Sequence, residues 1–292
     1  MRPGRMTVKL ALGLFALAYS VLAWASPTLG LASPAPVHTS PSANWAGYAV
    51  HRAGASFSQV VGTWREPTLS CRKGQQTFSS YWVGLGGYST KSRALEQTGT
   101  EVDCTSTGKA RAFAWFELVP AASVRVRLRV PPGDLIRGTV SVTGRLVQVS
   151  LLDLTRHTVF SRVLHARVLD VSSAEWIVEA PSACLGTGRC VTLPLADFGQ
   201  AMFNDSMVQA AGGRLGPITG ANWRTTRIRL TPGAQHEVSS HQGFGPGGGA
   251  VPSALRSQGS AFTVSFSSPG AGTRAAATRP LLDVGRLVHG VR

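Results

Sequence analysis

Apolar and polar residues alternate over short stretches of the chain from Asn44 onward, and Gly, Pro and Ser residues separate these stretches. Such alternation is typical of β-strands, because successive side chains of a strand point to opposite faces. The clearest stretches are FSQVVGTW (57–64), FSSYWVGL (78–85), RAFAWFELV (111–119), SVRVRLRV (123–130), RLVQVSLLD (145–153), HTVFSRVL (157–164), TRIRL (226–230) and AFTVSF (261–266). No segment keeps the apolar period of a helix for more than about two turns. The pattern predicts an all-β fold, either a sandwich or a barrel.

Two glutamates interrupt the apolar stretch SSAEWIVEAP (172–181). Alternation places Glu175 and Glu179 on one face of this predicted strand and Trp176 on the other. We expect the Trp176 face to pack in the core and the glutamate face to contact water. Four residues at about 3.3 Å each separate the two Cβ atoms by roughly 13 Å, beyond the roughly 5 to 9.5 Å between the carboxyl groups of glycoside hydrolases. A catalytic partner for either carboxylate must therefore come from another strand.

Two further predicted strands carry polar side chains among apolar ones. Alternation in RALEQTGTEVDC (93–104) places Gln97 on the same face as Leu95, and alternation in FAWFELVP places Glu117 with Trp115. If these strands pair with the one that carries Glu179, one sheet face presents two glutamates, a glutamine and a tryptophan. Ordinary solvent-facing polar residues are the alternative explanation.

The two ends of the chain differ in composition from the region between them. A basic start, an apolar stretch and Ala23-Trp24-Ala25 are typical of a secretory signal, so we expect residues 1–25 to be removed and the protein to be secreted. The apolar stretch is shorter than the roughly 20 residues of a membrane-spanning helix, so no stable anchor is expected after cleavage. Residues 26–42 are rich in Pro and Ser and predict a linker or a short propeptide. Residues 43–267 form the predicted β domain, and 268–292 a disordered tail.

Four cysteines remain after the signal, an even number in an oxidising compartment, and this predicts two disulfides. Cys184 and Cys190 enclose a short loop, which leaves Cys71 to pair with Cys104. Zinc is the alternative, but the chain has no Cys-x-x-Cys spacing. The histidines of HEVSSH (236–241) are five residues apart, so on a helix they would not face one metal. We expect no metal and no cofactor.

The chain is strongly basic, with a formal charge of +15 and a sequence pI near 11.1. The charge falls to +12 once Arg2, Arg5 and Lys9 leave with the signal. The basic residues are scattered, as in SVRVRLRV, where arginines alternate with apolar residues as on a solvated strand face. Nucleic acid is therefore not the expected partner; an acidic substrate, an anionic surface or solubility at low pH are the alternatives.

Five short motifs, NWAGY, YWVGLGG, LEQTG, AWFE and AEWIVE, occur in the order and at about the spacing found in the glutamic peptidases, the eqolisins. The chain resembles that family from about Ala43 to Phe266. The resemblance implies a β-sandwich of two packed antiparallel sheets, concanavalin-like or jelly-roll-like, with the site on the concave face of one sheet. It also implies a catalytic pair, Gln97 and Glu179, and a structural role for Glu175. The side chains it places near the substrate are Trp45, Trp82, Trp115 and Glu117.

The resemblance implies an acid endopeptidase that acts on proteins or peptides without a metal or a covalent intermediate, and we expect it to be secreted and monomeric. In that mechanism Glu179 is the base and then the acid, while the Gln97 amide stabilises the oxyanion. Two residues depart from the family pattern: Gly86 stands where an Asp is common, and Val119 replaces an aromatic residue. The alternatives are a non-catalytic β-sandwich that binds carbohydrate, as a lectin or adhesin does, and a basic protein that binds anionic surfaces.

Overall fold

The structure is a computed structural model, and it describes Met1 and residues 37–185, 189–232, 248–268 and 287–288. The predicted signal segment beyond Met1, residues 26–36 of the predicted linker and most of the predicted tail lie outside these residues. So do the HEVSSH motif and residues 242–247 after it. Within the described residues the regular structure consists of strands and one 3-10 helix, Ser257–Gly259. No helix among them is long and apolar enough to cross a membrane.

The described residues form nineteen strands. They are β1 (Val37–Ser42), β2 (Trp45–His51), β3 (Phe57–Arg65), β4 (Thr77–Gly86), β5 (Leu95–Cys104), β6 (Ala110–Val119), β7 (Val124–Val126), β8 (Leu135–Thr143), β9 (Leu146–Asp153), β10 (Thr158–His165), β11 (Ser173–Glu179), β12 (Ser182–Leu185), β13 (Arg189–Thr192), β14 (Gln200–Ala210), β15 (Gly216–Pro217), β16 (Arg224–Leu230), β17 (Gly249–Pro252), β18 (Phe262–Ser267) and β19 (Leu287–Val288). Each stretch predicted above to be a strand contains or overlaps one of them.

Sixteen of these strands belong to one hydrogen-bonded sheet, in the order β10-β9-β8-β3-β14-β18-β17-β16-β2-β11-β4-β5-β6-β7, with β1 and β15 beside this path. The sheet folds over itself, so that β3, β8 and β9 pack against β4, β5 and β11. Neighbouring strands are antiparallel except β1 and β16, which run parallel. The prediction of an all-β sandwich is confirmed, and its two layers are two halves of one continuous sheet.

The main core lies between the two layers. Trp176 of β11 is fully buried there, with Ala174 and Val178 from the same strand face, as predicted. Its indole N–H donates to the carbonyl oxygen of Val61 at 2.7 Å, and the indole N–H of Trp64 donates to the Thr100 hydroxyl at 2.9 Å. Each large side chain buried in this way contributes roughly 1.5–3 kcal/mol to stability, and the paired N–H groups avoid the penalty of an unmet donor.

The opposite face of β11 is not in contact with water, and the expectation above is wrong on this point. Glu175 and Glu179 have no exposed surface. A second apolar cluster covers this face, with Trp45 of β2, Trp82 of β4 and Trp115 of β6. Alternation predicts which residues share a face, but the bulky side chains that bury it come from strands distant in sequence.

Two terminal segments contain more structure than their composition predicts. Val37–Ser42, placed above in a linker, is β1 and pairs with β16 along its whole length. Leu287–Val288, placed above in a disordered tail, is β19 and pairs with Ala183 and Ser182 of β12. The segment between Phe266 and β19 lies largely outside the described residues.

One disulfide is confirmed. Cys71 and Cys104 are bonded, with their Cα atoms 5.3 Å apart, and the bridge joins the loop after β3 to the end of β5. Cys190 of β13 is also disulfide-bonded, and its backbone lies directly opposite Cys184 in the β12–β13 pair. The side chain of Cys184 is outside the described residues, so the second pairing stays a prediction.

Candidate active site

Five neighbouring strands, in the order β2-β11-β4-β5-β6, present one buried face that contains every site residue predicted from the sequence. Strand register arranges this face in three parallel rows. The rows are Trp45, Glu179, Ser80 and Glu101; Gly47, Ile177, Trp82, Gly99 and Trp115; and Ala49, Glu175, Gly84, Gln97 and Glu117. The Trp82 row therefore lies between the row of Glu179 and the row of Gln97.

Glu179, the last residue of β11, is held by two N–H donors. The indole Nε1 of Trp82 donates to its Oε2 at 2.8 Å, and the side-chain Nδ2 of Asn44 donates to its Oε1 at 3.1 Å. Asn44 is fixed in turn, because the Ser42 hydroxyl donates to its Oδ1 at 3.3 Å and the backbone N–H of Ala180 donates to its carbonyl oxygen. Both oxygens of Glu179 act as acceptors in this arrangement, which is the pattern of a carboxylate.

Gln97 lies at the middle of β5, directly opposite Glu117 of β6. Its side-chain Nε2 donates to Glu117 Oε2 at 3.0 Å, and both side chains are fully buried. A carboxylate can only accept, so this bond fixes the orientation of the amide: the nitrogen faces Glu117. One of the two N–H groups of the amide is used in this bond.

The Trp82 ring connects the two predicted catalytic side chains. Its Nε1 reaches Glu179, while its Cζ3, at the far edge of the ring, lies beside Gly84. A Cβ on Gly84 would come within 3.0 Å of Cζ3 and within 3.2 Å of the Gln97 Cβ. Only glycine leaves this space, so Gln97 and Glu179 approach opposite ends of one indole.

The rest of the face is aromatic. Trp45 meets Trp82 edge to face, with 5.1 Å between ring centroids, and the Arg125 guanidinium lies 3.5 Å above the Phe113 ring. Trp45, Trp82 and Trp115 are fully buried. A peptide can therefore reach these side chains only when the face opens.

Two further carboxyl groups lie on this face. Burial raises the pKa of Glu101 to about 7, although a hydrogen bond with Asp103 and the positive charge of Arg125 both lower it. Burial also raises the pKa of Glu175 well above its usual range; a hydrogen bond with Ser173 lowers it by less, and the nearby carboxyl groups of Asp170 and Glu96 raise it. Both groups are therefore neutral at acid pH. No group of three or more His, Cys, Asp or Glu residues in the described chain is placed to hold a metal ion.

The model of the peptidase A4 family matches residues 43–243, well over half of the chain. The chain belongs to the peptidase A4 family. A member of this family is a peptide hydrolase, specifically a glutamic peptidase, and the match covers all four strands that carry Gln97, Glu179, Trp82 and Glu117.

Solved structures of glutamic peptidases share the fold of this A4 peptidase. Scytalido-glutamic peptidase in complex with a transition state analog inhibitor has a TM-score of 0.57, with 23% identity over 77% of this chain and 98% of that one. SCP-B, an eqolisin solved with the tripeptide Ala-Ile-His, has a TM-score of 0.53, with 22% identity over the same shares. At this identity the likeness shows the fold alone. No curated protein matches the chain.

Sequence reasoning identified the residues of this face but missed two that hold it in place. Asn44 is the first residue of the NWAGY motif, so a signal was present, but it precedes β2 and alternation assigns it no direction. Asp170, in the loop before β11, has no recognisable motif. It accepts hydrogen bonds from the backbone N–H groups of Gly87 and Ser172, at 3.2 and 2.9 Å, and from the Ser92 hydroxyl.

Asp170 explains one departure of this A4 peptidase from the family pattern. Gly86 has a φ of +84°, and a Cβ there would overlap the Asp170 carbonyl oxygen and lie 2.7 Å from the Asp170 Cβ. The space of a side chain at position 86 is thus taken by Asp170. The other departure, Val119, is buried in the same apolar cluster as Trp115.

Proposed function

We propose that this A4 peptidase is a secreted acid endopeptidase in which Glu179 and Gln97 activate water for attack on a peptide bond. The observation that carries the proposal is the position of the two side chains at opposite ends of the Trp82 indole, with Glu179 fixed by Trp82 and Asn44. Both lie on a face rich in aromatic side chains, which suits an extended peptide.

The steps balance without a metal or a nucleophilic side chain. Glu179 takes a proton from water as the water oxygen bonds to the carbonyl carbon, and negative charge moves to the carbonyl oxygen. An N–H group of Gln97 donates to that oxyanion. Glu179, now protonated, delivers the proton to the nitrogen of the leaving amine, and the C–N bond breaks. The products are a carboxylic acid and an amine, and Glu179 is again a carboxylate.

Glu117 acts on Gln97 in this proposal and does not touch the substrate's reacting atoms. Its carboxylate accepts from Nε2, so the amide cannot rotate to present its oxygen where the oxyanion forms. Preorganised donors are effective because they do not have to reorient during the reaction. Glu117 is thus a positioning residue in our scheme.

Secretion and an acid working range belong to the proposal. Support for secretion comes from the signal-like first 25 residues and from the Cys71–Cys104 disulfide, which persists in oxidising compartments. Support for the acid range comes from Glu101 and Glu175, which are neutral on this face at acid pH. The proposed substrates are proteins and peptides, and the proposed working form is a monomer.

The Glu179→Gln variant tests the proposal most directly. It keeps the shape of the side chain and removes the proposed base, so cleavage of a denatured protein at acid pH should fall by roughly 10²- to 10⁴-fold. Glu66→Gln is the matched control, because Glu66 is equally buried but lies after β3, away from this face. Cleavage should also survive a metal chelator and reagents that modify serine or cysteine.

The mechanism is wrong if the Glu179→Gln variant cleaves as fast as the wild-type protein. It is also wrong if a metal chelator abolishes cleavage by the wild-type protein. If the wild-type protein cleaves no peptide bond under any of these conditions but binds a carbohydrate, the non-catalytic alternative is correct.

A further inference from the structure

Glu175 lies in the same row as Gln97, two strands away. Gly84 separates them in the register and has no side chain to stand between them. Neighbouring strands are about 4.8 Å apart, so the two Cα atoms are roughly 10 Å apart across the face. The Leu95 Cδ1 and the Trp82 Cζ3 lie within 3.0 Å of the position that a Cβ would take on Gly84, so a group can bind between the two side chains only once these atoms move aside.

Neither oxygen of the Glu175 carboxyl forms a hydrogen bond of good geometry. Both oxygens are buried, and the Ser173 hydroxyl on the same strand lies near enough to lower the pKa of Glu175 without forming such a bond. Glu179 and Glu117, by contrast, are each bonded to a neighbour. Glu66 and Glu96 also have buried carboxyl oxygens without a hydrogen bond, so what distinguishes Glu175 is its place on the face that carries Gln97 and Glu179.

The charges around Glu175 favour its protonated form. Asp170, ionised and held by three donors, approaches from the loop before β11, and Glu96 lies on the other face of β5. From β2 the titratable group on this face is His51, opposite Ser173, while β4 contributes only Gly84 and Gly86 beside Glu175. A buried carboxyl without a cationic partner stays neutral, and its O–H then needs an acceptor.

We propose that Glu175 is a third functional side chain of this site, a neutral carboxylic acid whose O–H donates a hydrogen bond to a backbone carbonyl of the bound peptide. The backbone carbonyl is the acceptor that every peptide presents whatever its sequence. The inference rests on the proposed function, since it requires the peptide to lie between Glu179 and Gln97. It replaces the structural role that the sequence implies for Glu175.

Three variants separate this role from a structural one. Glu175→Met and Glu175→Ala cannot donate, whereas Glu175→Gln keeps an N–H donor at nearly the same position. Loss of one hydrogen bond to the substrate should lower kcat/KM by about tenfold in the folded non-donor variants. The Gln variant should keep most of the wild-type value. Glu96→Gln is the matched control, because Glu96 is also a buried carboxyl without a partner, but on the opposite face of the sheet.

A series of peptide inhibitors, each lacking one backbone carbonyl, adds a measurement of binding affinity. A change in the stability of the protein would not alter the ratio of these affinities. In the wild-type protein one member should bind about tenfold more weakly than the parent inhibitor. In Glu175→Met that member and the parent should bind equally. Such a result would also show which carbonyl accepts the bond.

Several outcomes would overturn the inference. Wild-type kcat/KM in a folded non-donor variant would do so, as would an equal loss in Glu96→Gln. If both non-donor variants fail to fold while Glu175→Gln folds, Glu175 is structural and the proposal is abandoned. The Glu179→Gln variant distinguishes failure of this inference from failure of the proposed mechanism. If Glu179→Gln is inactive and Glu175→Met is as active as the wild type, only the role inferred for Glu175 is contradicted.

Discussion

Asn44 can be tested apart from the strands of the site, because it precedes β2 and its side-chain Nδ2 donates a hydrogen bond to Glu179. Removing that bond should leave the carboxylate with fewer donors and freer to turn. A hydrogen bond to a charged group is worth about 1.5–3 kcal/mol, so Asn44→Ala should lower kcat by roughly 10- to 100-fold with a smaller change in KM. Steady-state kinetics on one fluorogenic peptide would measure both.

Gln59→Ala is the control for Asn44→Ala. The Gln59 amide also donates to a side chain of another strand, the Ser141 hydroxyl at 2.9 Å, but in the layer that does not carry the site. Its kcat should match the wild type. A wild-type kcat in Asn44→Ala would mean that Glu179 keeps its position without the hydrogen bond from Asn44.

At the scale of single residues, the sequence predicted which residues share the face of the candidate site, but not which hydrogen bonds join them. Motif order identified Gln97 and Glu179, and alternation placed Glu117 with Trp115. Neither reveals that Nε2 of Gln97 donates to Glu117, or that Glu179 is bonded by Trp82. Those bonds depend on the register of β4, β5, β6 and β11, which is not a local property of the sequence.

Gly86 shows how one element restricts another. Its backbone has a positive φ, and the loop that carries Asp170 occupies the space where a Cβ would be. Gly86→Ala therefore adds both backbone strain and a steric overlap. Gly133 is the matched site, because its φ is +90° but nothing lies within 4 Å of its Cβ position.

Strain alone should cost Gly133→Ala about 1 kcal/mol, as measured by urea unfolding. Gly86→Ala should lose at least about 2 kcal/mol, because the overlap adds to the strain. The activity of Gly86→Ala should fall as well, because the displaced loop that carries Asp170 leads directly into β11. Equal losses at the two positions would show that the Asp170 loop moves aside without cost.

The sequence predicted ten of the nineteen described strands, but neither their extent nor their neighbours. SVRVRLRV predicts an eight-residue strand, but only Val124–Val126 is paired, because β7 is the last strand of the sheet. β14 was missed, and its register shifts between Asn204 and Met207 interrupt the alternation that would have revealed it. β1 was missed because Pro and Ser dominate its sequence, and its pairing with β16 stabilises it instead.

At the scale of the whole molecule, strand spacing and the family resemblance were enough to predict the sandwich. They could not predict one continuous sheet, because this depends on pairs of strands distant in sequence, such as β3 with β14 and β2 with β11. They also missed the burial of the site, in which tryptophans of three different strands are themselves fully buried. That burial raises the pKa values of carboxyl groups on this face, such as Glu101 and Glu175.

Buried carboxyl groups should make this protein most stable at acid pH. Burial raises the pKa of Glu66 to about 8, of Glu96 to about 9 and of Glu101 to about 7, from an ordinary value of 4.5. Below about pH 4.5 these groups are protonated in both the folded and the unfolded chain, so folding requires no uptake of protons. As the pH rises from 4.5 toward 9 the unfolded chain ionises first, and the free energy of unfolding falls.

The expected result is a melting temperature that is highest near pH 4 to 5 and declines steadily toward pH 9. One pKa unit is worth about 1.4 kcal/mol, so even two units of this displacement remove about 3 kcal/mol from a total of roughly 5–15 kcal/mol. Asp170 works in the opposite sense. Burial raises its pKa, but hydrogen bonds from Ser172, Ser92 and Gly87 together outweigh burial and lower it, so its contribution is lost only below about pH 4. Glu66→Gln removes one of the titrating groups, so circular dichroism melts of this variant should show a shallower decline. A melting temperature that stays level or rises between pH 5 and 8 would mean that the buried glutamates ionise without unfolding the chain, and the acid range proposed for the peptidase would then need another cause.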